Sequence, residues 1–387
     1  MIYFDNNATT PVAAAVFEAM RPFLQNSFGN PSSAHSLASD AKIAIADARE
    51  SIASLIGSVN PDEIFFTSGG TESDNWAILG ALAANPGKRH IITTRVEHEA
   101  IRKLCQKLER QGYRITWLDV DEAGLLDLEG LRSALSTETA VVSTMLANNE
   151  TGILFPVGKI GEIVKEHSDA LFHVDGVNAA GKIAVTLQET NIDLFSISAH
   201  KFHGPKGVGA LYIREGVEIS PMLTGGGQES GRRSGTEAVH QIAGLGAAAR
   251  FVANMSPMTK VGELRDRLET EILHKIPNSR LNGTSVASKR LPNTSNISFE
   301  NTNGEMILHH LNMLGICVST GSACNSLDQT ASPVLQAMNI PYSHAMGAIR
   351  FSLGRFNSEA EIEILMQELP GIVGRLREGS TVDFIRE

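Results

Sequence analysis

The chain has only three cysteines in 387 residues, Cys105, Cys317 and Cys324, and no C-x-x-C pair, which excludes a disulfide framework and a zinc knuckle. The expected compartment is a reducing one. No stretch approaches ~20 uninterrupted apolar residues, and Met1-Ile2-Tyr3-Phe4-Asp5 reaches an acid at once, without a basic n-region or an apolar h-region. These absences predict a cytoplasmic protein that makes no use of a membrane. Long charge runs of one sign are also missing, and a net charge of −10 is modest for this length, so nothing marks a nucleic-acid surface. The nucleotide P-loop pattern G-x-x-x-x-G-K-S/T does not occur. Gly244-Leu245-Gly246 has part of a dinucleotide fingerprint, but no strand precedes it and alanines follow, which is the pattern of helix packing.

What is present describes a globular enzyme. Hydrophobic residues make up 42% of the chain, and 35 glycines without a repeat suit an α/β protein with many tight turns. The length allows two or three domains, each able to bury its own core. Short β-branched runs recur at Glu63–Thr67, Ile91–Thr94, Arg114–Leu118, Ala140–Met145, Leu171–Val174, Leu194–Ser198 and Gly209–Ile213. Helical periodicity separates several of them, at Glu72–Ala83, Glu99–Gln111 and Val157–His167, and Asp40–Ile56 precedes them with an apolar face. This rhythm predicts a mostly parallel seven-stranded sheet covered on both faces. Beyond Gly225-Gly226-Gly227, helices at about Thr236–Ala253 and Lys260–Ile276 lead to a smaller α+β region. It has candidate strands at Asn296–Phe299, Gly315–Ser319 and Ala348–Leu353 and a closing helix from about Glu359 to Arg377. The predicted division is a large domain over 1–255 and a small one over 256–387, with residues 1–15 packing on the small domain.

Three segments carry chemistry. Lys201, in Ser198-Ala199-His200-Lys201, follows a buried-looking strand and has hydroxyl and imidazole donors just before it, as an amine bonded to a phosphate-bearing aldehyde requires. A lysine on its own is more often a solvated surface charge. Asp175 ends the apolar run Leu171-Phe172-His173-Val174, where a buried carboxylate can keep a pyridine nitrogen protonated; its alternative is a helix N-cap or a turn before Gly176. Ser68-Gly69-Gly70-Thr71-Glu72 is a glycine turn between strand and helix that can cradle a phosphate on backbone N–H groups, or serve as an ordinary N-cap. Together they point to pyridoxal phosphate.

Longer motifs sharpen this. Tyr3-Phe4-Asp5-Asn6-Asn7-Ala8-Thr9-Thr10, Phe28-Gly29-Asn30-Pro31-Ser32-Ser33, Ala147-Asn148-Asn149-Glu150-Thr151-Gly152 and Arg350-Phe351-Ser352-Leu353 occur in this order along the chain. With them the sequence resembles the cysteine desulfurases of the NifS/IscS type, class-V aminotransferase-like enzymes of fold type I that depend on pyridoxal phosphate. The resemblance covers nearly the whole length. It implies that Lys201 carries the cofactor and Asp175 pairs with its ring nitrogen. It further implies that Gly70, Thr71, Ser198 and His200 bind the phosphate, with Thr236 reaching it across a homodimer interface. Asn149 lies beside cofactor and substrate, His98 stacks on the ring and shuttles protons, and Arg350 grips the substrate carboxylate. Most lone histidines are structural, so His98 rests on the resemblance.

Cys324, in Ser319-Thr320-Gly321-Ser322-Ala323-Cys324-Asn325-Ser326, resembles the mobile catalytic cysteine of the family's IscS-like branch. A free cysteine is otherwise a small buried hydrophobe, and that reading suits Cys105 and Cys317. The implied reaction takes L-cysteine to L-alanine and leaves a persulfide on Cys324. The acceptor would be an iron–sulfur scaffold or another thiol, and Cys324 could ligate a nascent cluster transiently; no intrinsic metal is expected. One departure is Asn178, where the family usually has glutamine to meet the cofactor's phenolic oxygen. The short tail after Arg377 leans toward the nitrogenase-associated NifS branch. The rivals are an aminotransferase or selenocysteine lyase on the same fold, and a sulfur-relay scaffold with little turnover.

Overall fold

A computed structural model describes residues 1–321 and 331–383, the last five of these as backbone alone. The order along the chain is β1 (Ile2–Tyr3), α1 (Ala14–Gln25), α2 (Ser39–Leu55), β2 (Ile64–Thr67), α3 (Gly70–Ala84), β3 (His90–Thr94), α4 (Glu99–Arg110), β4 (Arg114–Leu118), α5 (Leu128–Ala134), β5 (Thr139–Met145), α6 (Val157–His167), β6 (Leu171–Asp175), β7 (Leu194–Ser198) and β8 (Gly209–Ile213). It continues with α7 (Val239–Val252), α8 (Ser256–Lys275), β9 (Ser279–Leu281), β10 (Thr294–Phe299), α9 (Gly304–Met313), β11 (Ile316–Cys317), α10 (Pro333–Ala337), α11 (Tyr342–Ala345), β12 (Ala348–Ser352) and α12 (Glu359–Asp383).

Strands β2 to β8 form one sheet in the order β2-β8-β7-β6-β5-β3-β4. Its inner pairs are parallel, and β8 runs antiparallel to both neighbours. The expected α/β architecture is therefore correct. Strands β2, β3, β5, β7 and β8 are buried at every residue, because helices cover both faces, and this is why they read as continuous apolar or β-branched runs. Gly244-Leu245-Gly246 lies inside α7 and packs on α2: a Cβ at Gly246 would come within 2.5 Å of Ala48 Cα.

A second core gathers Ile2 and Phe4 with residues from Met258 to Val373, among them Leu268, Ile297, Phe351 and Leu365. It is built on the sheet β12-β10-β9 and on α8, α9 and α12. Strand β1 pairs in parallel with β11, placing Ile2 against Ile316 and Tyr3 against Cys317. From there residues 5–10 cross to the C-terminal ends of β5, β6 and β7, where ligands bind in open parallel sheets.

Candidate active site

Three strand ends build the floor of the cavity. Asp175 is the last residue of β6, Lys201 follows β7 in a single 3₁₀ turn, and Asn149 lies in the turn after β5. With Ala8, Gly70, Thr71, Asp74, His98, Asn178, Ser198 and His200 they line a cavity of about 250 Å³. The first turn of α3 closes one end. Gly69 precedes that helix at φ +147°, a conformation open essentially to glycine alone, and no side chain caps it. A Cβ at Gly70 would come within 2.7 Å of Val177 Cγ2, so the two glycines hold open a cradle of N–H groups that a larger residue would fill.

Lys201 Nζ donates to the carbonyls of Asn7 at 2.5 Å and Ala8 at 3.2 Å. Burial, helped by the Arg350 charge, lowers its pKa to about 8, against the pull of Asp175 and Asp5. Asp175 accepts the Val177 N–H at 2.9 Å. Burial raises its pKa, while His98 and Lys201 oppose that rise. Burial lowers the pKa of His98, Asp175 resisting; its Nδ1 accepts the Ala100 N–H at 3.1 Å, so the ring also caps α4. His200 is pushed down to about 4 by burial and by neighbouring lysines, and its Nδ1 meets Thr9 Oγ1 at 3.2 Å.

The remaining expected residues are placed differently. Arg350 does not line the cavity: it donates to the Asn149 carbonyl at 3.1 Å and to Asp5 Oδ1 at 2.6 Å, and its Nε has no hydrogen-bond partner among the described residues. Thr236 lies in a neighbouring groove of about 260 Å³ with Ser68, Gly207 and Arg233. Cys324 lies outside the described residues. Cys105 is fully buried, its thiol pushed up to about 12, whereas Cys317 is only half-buried. The expectation of burial thus fails for Cys317, because β11 has a single strand neighbour in a two-stranded sheet.

Several residues escaped the sequence reading. Lys182, buried, donates to Asn178 Oδ1 at 2.7 Å and to Asn7 Oδ1 at 2.9 Å, which fixes the side chain whose shortness was the family departure. Burial and the Lys201 and Arg350 charges lower its pKa well below the usual lysine value. Asp74 reaches the cavity floor with Oδ1 lacking a hydrogen bond among the described residues and 3.6 Å from the buried His173 Nε2, and its pKa is raised well above the usual carboxylate range by burial and Asp175. Its position three residues after Thr71, on one face of α3, was the available signal. Glu97, buried beside it, is pushed up to about 8.

Pyridoxal phosphate fits this donor set. Its phosphate matches the cradle at Gly69–Gly70 and the donors Thr71, Ser198 and His200, its ring nitrogen suits the buried carboxyl of Asp175, and its aldehyde suits an amine that loses its proton near pH 8. Among the described residues no group of three or more His, Cys, Asp or Glu could hold a metal ion. No helix among them is long and apolar enough to cross a membrane.

Comparison with known proteins agrees with this geometry. The aminotransferase class-V family pattern matches residues 2–365. Cysteine desulfurase 2 of Trichormus variabilis is 50% identical over 378 residues, covering 97% of this chain and 94% of that protein. Cysteine desulfurase NifS of Azotobacter vinelandii is 47% identical over 380 residues, covering 97% and 93%. A solved structure described as a NifS-like protein superimposes with a TM-score of 0.90 at 38% identity, over 97% of this chain and 100% of the other. The chain belongs to the aminotransferase class-V family of pyridoxal-phosphate enzymes.

Proposed function

We propose that the protein is a cysteine desulfurase that converts L-cysteine to L-alanine and passes the sulfur through Cys324. The observation that carries this reading is the meeting of Lys201, Asp175, His98 and Asn149 around one cavity, in a chain about half identical to cysteine desulfurases over nearly its full length. When bound, the cofactor withdraws electrons from the Cα of an attached amino acid. Arg350, bonded here to Asp5 and the Asn149 carbonyl, exchanges Asp5 for the substrate carboxylate, which its planar fork suits. Lys201 Nζ takes the Cα proton, and its lowered pKa makes the free base available near neutral pH. His98 moves a proton at the substrate sulfur. Cys324 Sγ then bonds to that sulfur as the Cβ–S bond breaks, and the carbon left behind takes up a proton to become alanine.

The wider assignment has the same basis. Thr236 is exposed on a groove beside the phosphate cradle, and Phe17, Leu24, Phe28 and Ile43 are exposed on or near α1 and α2, which suits a homodimer in which Thr236 completes the neighbouring site. The sulfur acceptor is an iron–sulfur scaffold or another thiol, the compartment is the cytoplasm, and the NifS-like relatives favour the nitrogenase-associated branch. The division is placed at 255/256, although the first core extends beyond it through Leu291, Leu335 and Ala348 and the second takes Ile2 and Phe4 from before it. The test is alanine release from L-cysteine by the purified holoenzyme. An aminotransferase would give a keto acid from cysteine instead, and a pure scaffold would give neither product. Preference for selenocysteine over cysteine would mark a selenocysteine lyase.

A further inference from the structure

Glu150 has no place in the mechanism above, yet it follows Asn149 directly and is buried. Its backbone is fixed from two sides: Asn148 Oδ1 accepts the N–H groups of Glu150 at 3.0 Å and Thr151 at 2.9 Å, and Asn296 Nδ2 donates to the Glu150 carbonyl at 3.2 Å. The side chain does not line the cavity. It meets the two ends of the stretch 322–330 instead. Ser332 Oγ donates to Glu150 Oε2 at 2.5 Å and accepts the N–H groups of Val334 at 3.1 Å and Leu335 at 3.3 Å, as the N-cap of α10. On the other side Gly321 lies directly on the same carboxylate. A Cβ there would overlap Oε2, and would lie 3.0 Å from Glu150 Cδ and 3.2 Å from Ser332 Cβ.

We propose that Glu150 is a positioning residue: it bonds Ser332 and packs against Gly321, and so sets the residues that flank the stretch carrying Cys324 against the turn that presents Asn149 to the cavity. One carboxylate then sets the points from which the thiol reaches its substrate. Fixed ends restrict the volume a tethered group can explore and raise its effective concentration at the target. Cys324 stands three residues after Gly321 and eight before Ser332, so displacement of either flank moves a point from which the stretch carrying it departs. The sequence choices are consistent with the role: a Cβ at 321 would push the carboxyl aside, and the hydroxyl at 332 both donates to Glu150 and caps α10. The inference rests on the reading of Cys324 as the sulfur acceptor.

The test compares wild-type holoenzyme with Glu150→Ala, Glu150→Gln and Ser332→Ala, each first checked for cofactor absorbance and cooperative thermal unfolding. Persulfide formation on Cys324 is followed by peptide mass spectrometry in a single turnover, with kcat and KM for cysteine measured alongside. Glu150→Ala and Ser332→Ala are expected to slow persulfide formation by about tenfold or more, equivalent to ~1.4 kcal/mol, with KM within about threefold of wild type. Glu150→Gln, which keeps an acceptor for Ser332 and the same length, is expected to recover the rate to within about threefold. Iodoacetamide labelling of Cys324 in the resting holoenzyme should change in the same two variants and stay near wild type in Glu150→Gln. Wild-type persulfide rates in Ser332→Ala or in folded Glu150→Ala overturn the proposal, as does a loss that appears only in KM. Absence of persulfide in the wild type itself overturns the reading of Cys324, and this inference with it.

Discussion

At the level of single residues, Lys201 and Lys182 show how burial divides the roles of two amines. Lys201 loses its proton near pH 8 at the cavity and is the proposed nucleophile toward the cofactor aldehyde. Only the neutral amine attacks, so the rate at which apoprotein captures pyridoxal phosphate should rise with pH and level off above about 8, well below the point at which an ordinary lysine would do so. Stopped-flow absorbance across pH 6–10 checks this, and a rate that keeps climbing to pH 10 contradicts it. In Lys201→Ala, borohydride treatment should leave no cofactor attached. Lys182 holds Asn178 and Asn7 together, and Lys182→Met leaves the Asn178 carbonyl unpaired in a buried site. That should cost ~1–3 kcal/mol of stability in chemical denaturation and shift the cofactor absorbance. Asn178→Gln keeps the amide and should change activity by less than about tenfold; complete loss would show that the length of this side chain is critical. The sequence made Lys201 and Asp175 legible because Asp175 ends a strand and Lys201 closely follows one, each in a local motif. Lys182 with Asn7 and Arg350 with Asp5 were not legible as pairs, since they are 175 and 345 residues apart in sequence.

Among the elements, the strands of the seven-stranded sheet were read to within about a residue because both its faces are covered and a strand must then be a β-branched run, whereas the short β1 and β9 of the smaller sheets were not read as strands. Strand β3 begins one residue earlier than its apolar pattern. His90 is buried with Nδ1 on Thr139 and Nε2 on Thr116, and burial lowers its pKa to about 4, so a neutral histidine serves as a core residue. Helix α8 starts earlier than its periodicity implies because Pro257 occupies its first turn, where the missing N–H costs nothing. Helix α1 carries Pro22 and buries only Val16, which hides it from pattern reading. The loop that carries Thr236 shows what an element can demand of one ion pair. Glu229 and Ser230 both sit in left-handed backbone, at φ 47° and 57°. Glu229 is held by Arg49 at 2.7 and 3.0 Å and by the Phe66 N–H at 2.8 Å. Arg49→Met should leave a buried carboxylate without its partner and destabilise the protein by ~3–5 kcal/mol, measured by denaturant unfolding. A change below ~1 kcal/mol would show that the pair behaves like an exposed one.

In the whole molecule, the functional residues come from three sources: the ends of parallel strands, the N-terminus of α3, and an N-terminal segment that leaves the second core to cross the cavity. Residues 5–10 tie Arg350, Lys182, Lys201 and His200 to one strand of chain. Truncation before Asn7 should therefore weaken cofactor retention and substrate binding together, although none of the truncated residues lines the cavity. If Thr236 completes a neighbour's phosphate site, the protein is a dimer in solution and Thr236→Ala weakens cofactor binding; size-exclusion chromatography with light scattering reports the first, and a fully active monomer contradicts both. The measurement that bears most directly on the central claim is a single turnover of the holoenzyme with L-cysteine, followed by peptide mass spectrometry and alanine quantitation, in wild type and Cys324→Ala. The account predicts one added sulfur on Cys324 and stoichiometric alanine in wild type, and almost no alanine and no added sulfur in the variant, which still binds cofactor and cysteine. Alanine release by Cys324→Ala near the wild-type rate would contradict it.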